Sequence, residues 1–305
     1  SNVVDLSNES PSPSKCTTLL AFMSCDGFYE EVQEQDIPRL TQGITDEQKY
    51  LNDALVNFYL RYVHTELSKV NSELAQRIFI FSSHFYTKFL ENGYKSVERW
   101  TGVLNIFDDM SLLVFPVNKS NHWSLVLVHV MRVLVNVYHL DSLSLHKDDK
   151  SIVRTIRQYL RCEFDRLHET GGKKRMPLGM SENFPIYKVN VPRQTNGYDC
   201  GMWVCANFKK TLNLFSDNAV SGGDKENSLS DDDVPGPRRV IYKVLESLQD
   251  SSSSAFEYLK SASEMRHDYE ALIYRLVKQQ REKGGTSKSY NINRRKRRKK
   301  KKQTK

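Results

Sequence analysis

The chain has 305 residues, of which 39% are hydrophobic and 27% are charged. A chain of this length and composition can bury a sizeable core, which excludes disorder throughout. Its net charge of +8 is a poor sign of nucleic-acid binding, because residues 294–305 alone carry ten positive charges and the remainder has a net charge of −2. Any contact with nucleic acid is therefore assigned to a basic tail, as a non-specific interaction, and not to the body of the protein.

The cysteine content and the hydropathy narrow the class of protein further. The number of cysteines, five, is odd, and no CxxC pair occurs among them. We therefore expect neither a disulfide framework nor a zinc site, and no metal or other cofactor is predicted. No window reaches the roughly 18 apolar residues that a membrane helix needs, so a soluble intracellular protein without membrane contact is expected.

Apolar periodicity predicts the elements of the first half of the chain. Residues 1–16 are rich in Ser, Pro and Asn and are expected to form a disordered arm. Apolar residues between Leu51 and Leu67 recur at helical spacing, with Thr45 or Asp46 as the candidate cap. The other predicted elements are a strand over 78–81, a helix ending at Gly93, and strands over 112–117, 123–130 and 133–140, the last two as a hairpin.

The second half interleaves helices and strands with segments rich in Gly, Ser and charge. The predicted elements are a helix over 148–167, a mobile loop over 171–183, a strand over 186–191, a helix beginning near Cys200, and amphipathic helices over 240–248 and 269–280. This order predicts an α/β or α+β domain over residues 17–281. A flexible insertion is expected at 216–263, and a basic disordered tail at 282–305.

Cys200 is the candidate nucleophile. It stands between Asp199 and Gly201, where a polar turn meets an apolar run. A helix N-terminus lowers the pKa of a thiol, whereas Asp199 as a cap would raise it, so these residues alone leave the sign of the net shift open. A neighbouring imidazolium would make the thiolate the resting species.

His122 and Asp141 are the candidate partners of this thiol. His122 precedes a buried strand, at a position from which a side chain reaches beyond the sheet, whereas His129 and His139 lie within strands and are interpreted as core or surface residues. Asp141 ends the neighbouring predicted strand, where it can orient the imidazole. Taken alone, Asp141 is as well explained as a turn-forming residue.

Gln194 lies six residues before Cys200, across a turn that contains glycine. Its amide can stabilise an oxyanion together with the backbone N–H of Cys200. Taken alone, it is equally a polar loop residue.

Several segments, in this order, resemble the cysteine proteases of ubiquitin-like modifiers, the SUMO or sentrin-specific protease family. They are YLNDALVNFYLRYV, RIFIFSSHFY, RWTGVLNIFDDMSLLVFPVN, NHW, LDS, Gln194-x-x-Asn-Gly-Tyr-Asp-Cys-Gly and RHDYEALIYRLVKQQ. The resemblance covers about residues 19–281, apart from the insertion. The IFSSHFY and VERWTG segments are most similar to the branch of the family that trims SUMO chains.

The resemblance implies an α+β, papain-like cysteine protease fold with a central mixed sheet flanked by helices. It also implies a role for each candidate residue. His122 is the general base, Asp141 orients it, and Cys200 attacks. Gln194 and the Cys200 N–H then hold the oxyanion. The implied activity is cleavage after the C-terminal Gly-Gly of SUMO, which removes the modifier from lysines and can mature its precursor.

The same resemblance places three further residues at the modifier. Trp123, Tyr50 and Asp53 are expected to bind substrate, with Trp123 and Tyr50 on the two sides of a narrow slot for Gly-Gly. Many members of the family have Trp where this chain has Tyr50. An aromatic ring is kept there, but the difference leaves room for another modifier, such as a Nedd-type protein.

Two alternatives to a protease are a second kind of enzyme and a non-catalytic protein. An acyltransferase can use the same Cys–His–Asp chemistry, and a non-catalytic nuclear module could use the basic tail on nucleic acid. The full set of four candidate residues argues against lost catalysis. The tail itself is predicted to be a nuclear-localisation segment, so the expected location is the nucleus, with the cytoplasm as a second location.

Overall fold

A computed structural model describes residues 17–41, 45–131, 134–143, 149–168, 176–180, 185–221, 236–249, 255–256 and 260–283. The predicted arm at 1–16, most of the predicted loop at 171–183 and the tail from 284 onward lie outside these residues. The strands are β1 Thr18–Met23, β2 Tyr29–Gln33, β3 Ile78–Ile80, β4 Leu112–Lys119, β5 His122–Val130, β6 Val135–Leu140 and β7 Ile186–Lys188. The α-helices are α1 Asp53–Val70, α2 Ser72–Ala75, α3 His84–Asn92, α4 Asp149–His168, α5 Cys200–Ser221, α6 Pro237–Ser247 and α7 Ala262–Glu282, and three short 3₁₀ helices span Glu34–Arg39, Asp46–Lys49 and Tyr94–Ser96.

The runs of β-branched and aromatic residues form one five-stranded sheet with the order β3-β4-β5-β6-β7. The central pairs, β4 with β5 and β5 with β6, are antiparallel, while β3 and β7 pair parallel at the two edges. The predicted mixed sheet and the hairpin between the second and third long strands are therefore confirmed.

Helices cover both faces of this sheet, which explains why every residue of β5 is buried. Alternate side chains of β5 point to opposite faces. Leu125 and Leu127 join a core with α1, α5 and α7, whereas Val126 and Val128 join a second core with α3 and α4. The predicted α+β architecture, a mixed sheet flanked by helices, is confirmed.

The cap of α1 differs from the prediction. Asn52 is the N-cap, and its side-chain oxygen accepts a hydrogen bond from the backbone N–H of Leu55 at 3.1 Å. Thr45 instead precedes the short 3₁₀ helix at 46–49. Apolar periodicity locates the body of a helix better than its first residue, and Asn52 also bonds Asp36, a contact that only the folded chain provides.

A two-stranded hairpin, β1 with β2, was missed by the sequence analysis. Its antiparallel strands flank the turn that holds Asp26 and Gly27, and Gly27 has a φ of 81°. A residue without a Cβ adopts this conformation freely. The Asp-Gly pair between apolar runs was the available signal.

The predicted flexible insertion at 216–263 contains packed structure. Helix α5 continues to Ser221, and α6 buries Ile241, Val244 and Leu245 against the core that contains α5. The amphipathic pattern over 240–248 predicted this helix, so flexibility does not describe this part of the insertion. Residues 222–235, 250–254 and 257–259 lie outside the described residues.

The last helix closes the domain. Ser261 caps α7 through a reciprocal pair of hydrogen bonds with Glu264, and Tyr269 and Ile273 are buried in the core that contains α1. Within the described ranges, no helix has both the length and the apolar character needed to cross a membrane.

Candidate active site

Cys200 is the first residue of α5 and is fully buried. The next residue, Gly201, lets the helix approach its neighbours closely. A Cβ at Gly201 would lie 2.8 Å from the Cβ of Leu51 and 3.3 Å from Cδ1 of Trp123. The Cys-Gly pair of the sequence motif therefore sets how deeply the thiol sits.

A tight turn positions His122. Strands β4 and β5 are joined by Ser120 and Asn121, whose φ angles are 53° and 57°. Two left-handed residues in a two-residue hairpin loop form a type I′ turn, which matches the twist of the strands. His122 follows as the first residue of β5, paired with Lys119. His122 was predicted at the beginning of this buried strand, but the turn before it was not predicted.

Asp141 follows the last residue of β6, the strand beside β5. Its Oδ1 lies 2.7 Å from Nε2 of His122 and also accepts the backbone N–H of Leu143 at 2.9 Å. Since Nε2 faces Asp141, Nδ1 is the ring nitrogen left for the thiol, and Cys200 lies close enough to raise the pKa of the ring. Thiol, imidazole and carboxylate thus form a line with the ring in the middle.

The electrostatics of this line favour a charged imidazole. Burial by itself would lower the pKa of His122, but its hydrogen bonds to Asp141 and Cys200 raise the pKa to about 9. For Asp141, burial would raise the pKa, but the hydrogen bonds from His122 and Leu143 hold it well below its usual range. At neutral pH the imidazole is therefore protonated and paired with an ionised Asp141.

Gln194 is held next to this line by Ser142. The Ser142 hydroxyl donates to Oε1 of Gln194 at 2.6 Å, and Nε2 of Gln194 donates to the carbonyl of Asn196 at 2.7 Å. The backbone N–H of Gln194 also bonds the Ser142 carbonyl at 3.0 Å. The amide is thereby fixed beside Asp141 and has a second N–H to offer. Ser142 was not singled out from sequence.

Arg266 neutralises Asp199, the acidic neighbour of the nucleophile. Its guanidinium donates from Nε and Nη2 to Oδ1 of Asp199 at 2.8 and 2.6 Å, and both side chains are buried. The same guanidinium bonds the carbonyl oxygens of Arg39 and Lys49. The carboxylate next to the nucleophile is thus paired with an Arg from α7, which no sequence pattern indicated.

The three predicted substrate-binding residues occupy different surroundings. Trp123 is only 1% exposed, and its indole N–H bonds the carbonyl of Leu51 at 2.9 Å. Tyr50 is partly buried, and burial and the nearby Cys200 raise its pKa. Asp53 accepts a hydrogen bond from Ser83 at 2.6 Å. Trp123 therefore holds the residue that follows Tyr50, while a role for any of the three with substrate stays a prediction.

The strand histidines behave as predicted for core residues. His129 and His139 are each 2% exposed, within β5 and β6. Burial, with a smaller effect from Arg238, lowers the pKa of His129 to about 4, so that imidazole is neutral at physiological pH.

A second Cys, His and Asp lie together at Cys25, His64 and Asp26, but their arrangement differs. Sγ of Cys25 lies 3.6 Å from Nδ1 of His64, and Asp26 approaches the same Nδ1 at 3.9 Å. The opposite nitrogen, Nε2, faces the carbonyl of Ala75 at 2.9 Å. The carboxylate is therefore not behind the ring, where it would orient a general base, and this grouping is not a catalytic relay.

Gly201 offers a test of the packing at the nucleophile. We expect Gly201→Ala to lower kcat/KM about tenfold, because the new methyl group must displace the start of α5 from Leu51 and Trp123. Gly197→Ala is the matched control, since its Cβ would meet only the hydroxyl of Tyr50, at 3.8 Å. Steady-state kinetics of both variants check this. Equal activity of the two would contradict the packing argument.

Comparison with known proteins agrees with this geometry. The sequence profile of the "Ulp1 protease family, C-terminal catalytic domain" matches residues 49–251. The match includes all four predicted catalytic residues and leaves out Cys25 and Asp26. Human Sentrin-specific protease 2 is 31% identical over 172 residues, 55% of this chain and 27% of that protein. Human Sentrin-specific protease 5 is 30% identical over 200 residues, 66% of this chain and 23% of that protein.

The chain spans about a quarter of the length of these curated relatives. Among solved structures, a de-sumoylating protease aligns with a TM-score of 0.58 at 18% identity, over 87% of this chain and 95% of that chain. The Ulp1 protease domain solved in complex with Smt3, the yeast ortholog of SUMO, aligns with a TM-score of 0.51 at 23% identity, over 85% and 88% of the two chains. These structures share the fold described above.

Proposed function

Because the chain belongs to the Ulp1 protease family, we propose that it is a thiol isopeptidase that cleaves after the C-terminal Gly-Gly of a ubiquitin-like modifier, with SUMO as the preferred modifier. The observation that carries the proposal is the line from Cys200 through His122 to Asp141 at the start of α5. Gln194, fixed by Ser142 at the same end of the sheet, supplies the amide that acyl chemistry requires.

The residues account for each step of the reaction. The Cys200 thiolate attacks the carbonyl of the terminal glycine, and the oxyanion is held by the Gln194 amide and the Cys200 N–H. The imidazolium of His122 gives its Nδ1 proton to the leaving lysine amine as the C–N bond breaks, which leaves a thioester. A water then attacks, its proton passes to His122, and the thiolate departs.

The names of the relatives support SUMO as the substrate. Sentrin-specific proteases match the chain, and a neighbour in fold binds Smt3. Tyr50 is close enough to Cys200 to interact with it electrostatically, and the next residue, Leu51, accepts the indole N–H of Trp123 and packs against Gly201. A slot lined there would accept Gly-Gly and exclude residues with a Cβ.

The substrate class can be tested with modifiers that carry an electrophile in place of the terminal carboxylate. We expect the SUMO probe to form a covalent adduct, and the Nedd-type and ubiquitin probes to react far more slowly. Cys200→Ala is the negative control. Preferential capture of the Nedd-type probe would reassign the modifier, and capture of none would contradict an isopeptidase. Incubation with poly-SUMO chains and with precursor then separates chain trimming from maturation.

Residues 294–305 are proposed to be a nuclear-localisation segment, because ten of the twelve residues are basic. Deleting them should move the tagged protein toward the cytoplasm while its cleavage of SUMO conjugates in vitro is unchanged. Fluorescence microscopy and a cleavage assay measure the two effects. Salt-sensitive DNA binding should disappear in the same deletion. An unchanged distribution would refute the proposed role of the tail.

The pKa of His122 predicts an alkaline limit to activity. Since free-enzyme ionisations appear in kcat/KM, hydrolysis should decline as pH rises through about 9, where the imidazolium loses its proton. Asp141→Asn removes a group that raises this pKa, so the decline should begin at lower pH. An unshifted limb would contradict the assignment of Asp141.

The same shift affects stability in a defined direction. The folded-state pKa of His122 lies above the ordinary value of about 6.5, so its stabilising contribution is complete below that pH. This contribution is lost as pH rises through about 9. Urea unfolding of wild type and Asp141→Asn at neutral and alkaline pH measures the difference.

A further inference from the structure

The cluster of Cys25, Asp26 and His64 lies outside the candidate active site. Cys25 and Asp26 are on the turn between β1 and β2, and His64 is on α1. One potential ligand atom from each residue lies within 4.8 Å of the other two. We propose that these three residues form a zinc-binding site that fastens the hairpin turn to α1.

The thiol, the carboxylate and the imidazole of this cluster converge on one small region. In the catalytic line, thiol and carboxylate stand at opposite nitrogens of His122, whereas Cys25 and Asp26 both approach Nδ1 of His64. A thiol and a carboxylate at opposite ring nitrogens suit a general base, because the carboxylate orients the ring that takes the proton. Placement on one side leaves three donors facing a common point, as a cation requires.

The separations between the ligand atoms are close to those of a zinc site. Zinc bonds of about 2.3 Å to sulfur and about 2.0–2.1 Å to nitrogen, at a tetrahedral angle, place the two atoms about 3.6 Å apart. The observed separation of Cys25 Sγ and His64 Nδ1 is 3.6 Å. From Nδ1 to Asp26 Oδ2 the separation is 3.9 Å, so the carboxylate must move inward by about half an ångström to ligate at zinc–oxygen distances of about 2.0–2.2 Å.

The imidazole of His64 is oriented so that it can bind a metal. Nε2 of His64 lies 2.9 Å from the carbonyl oxygen of Ala75, which only accepts hydrogen bonds. When the ring is neutral, its proton is therefore on Nε2 and the lone pair of Nδ1 faces Cys25 and Asp26. A carbonyl that fixes the tautomer behind a ligating histidine is a recurrent feature of zinc sites.

The surroundings hold the donors in place. Ser24 donates to the other oxygen of Asp26, and Thr65 accepts the backbone N–H of Cys25 at 3.0 Å. Arg61 donates to Oδ2 of Asp26, the oxygen that would face the cation, so a second lone pair of that oxygen must serve the metal. Glu30 lies close enough to interact with the Arg61 charge. The thiolate and the carboxylate carry two negative charges against the dication and the Arg61 guanidinium, and Cys25 is exposed, so solvent can supply a fourth ligand.

The sequence did not predict this site because its ligands are distant from one another along the chain. Cys25 and His64 are 39 residues apart, and no local spacing connects them. Folding brings them together only after the hairpin packs on α1.

The test uses Cys200→Ala as the parent protein, because the catalytic thiol and imidazole can also bind metal. Cobalt(II) is titrated into the parent and into the same protein with Cys25→Ala. We expect one equivalent to give a thiolate-to-cobalt charge-transfer band and the visible bands of a four-coordinate ion in the parent, both displaced by zinc. Cys25→Ala, an exposed position, should lose the charge-transfer band while its thermal unfolding without metal is unchanged.

Alkylation of Cys25, followed by mass spectrometry, gives an independent measurement. Zinc should slow the reaction of Cys25 with iodoacetamide at least tenfold in the parent, while Cys162 reacts at its former rate. Asp26→Asn should weaken this protection. Absence of the charge-transfer band, with alkylation of Cys25 unaffected by zinc, would overturn the proposal and leave a thiol–imidazole pair with no metal. The result is independent of the modifier specificity proposed above, since no substrate is present.

Discussion

Cys200→Ser is expected to abolish hydrolysis and probe capture, with kcat reduced at least about 10⁴-fold. The thiol lies beside an imidazole whose pKa is about 9. That partner stabilises a thiolate, but a serine hydroxyl is far too weak an acid to be ionised by it. Cleavage of a SUMO conjugate and adduct formation, measured on protein with an unchanged melting temperature, check this result.

Two other cysteines serve as controls. Cys162→Ser should retain full activity, because Cys162 lies on α4 outside the candidate site and burial raises its pKa. Cys205→Ala, the second control, removes another thiol on the same helix as Cys200. Complete burial raises the pKa of Cys205 far above the ordinary value, so this variant should also keep its activity. Turnover near wild type in Cys200→Ser would remove Cys200 from the site. Loss of turnover in Cys162→Ser would contradict the placement of Cys162 outside it.

The sequence predicted the parts of the site that depend on strand and helix ends. His122 at the start of β5, Asp141 after β6 and Cys200 at the start of α5 meet because neighbouring strands end at one edge of the sheet. Apolar runs locate those ends well. The family resemblance, carried by short motifs around these positions, then assigned the roles.

The unpredicted contacts are those between distant segments. Arg266 reaches Asp199 across 67 residues, and Ser142 reaches Gln194 across 52 residues. Such pairs depend on how α7 and the loops dock, and no periodicity records this. The indole N–H of Trp123 bonds the carbonyl of Leu51, a further contact between distant segments that the sequence did not indicate.

Gln194→Ala is expected to lower kcat about 10²–10³-fold with little change in KM, because an oxyanion donor acts mainly in the transition state. The native amide is held between Ser142 and the Asn196 carbonyl, so its N–H direction is fixed before substrate arrives. Gln194→Glu keeps the shape but replaces the donor with an acceptor, and should lose at least as much activity. A rise in KM alone would make Gln194 a substrate-binding residue.

Ser142→Ala separates this fixed orientation from the amide itself. Loss of one hydrogen bond should lower kcat about tenfold in the native background, since the amide can then rotate away from the oxyanion. In the Gln194→Ala background the same change should have almost no effect, because Ser142 has no amide left to hold. A full tenfold loss in both backgrounds would instead show that Ser142 acts through its neighbour Asp141, and that the orientation of Gln194 is set elsewhere.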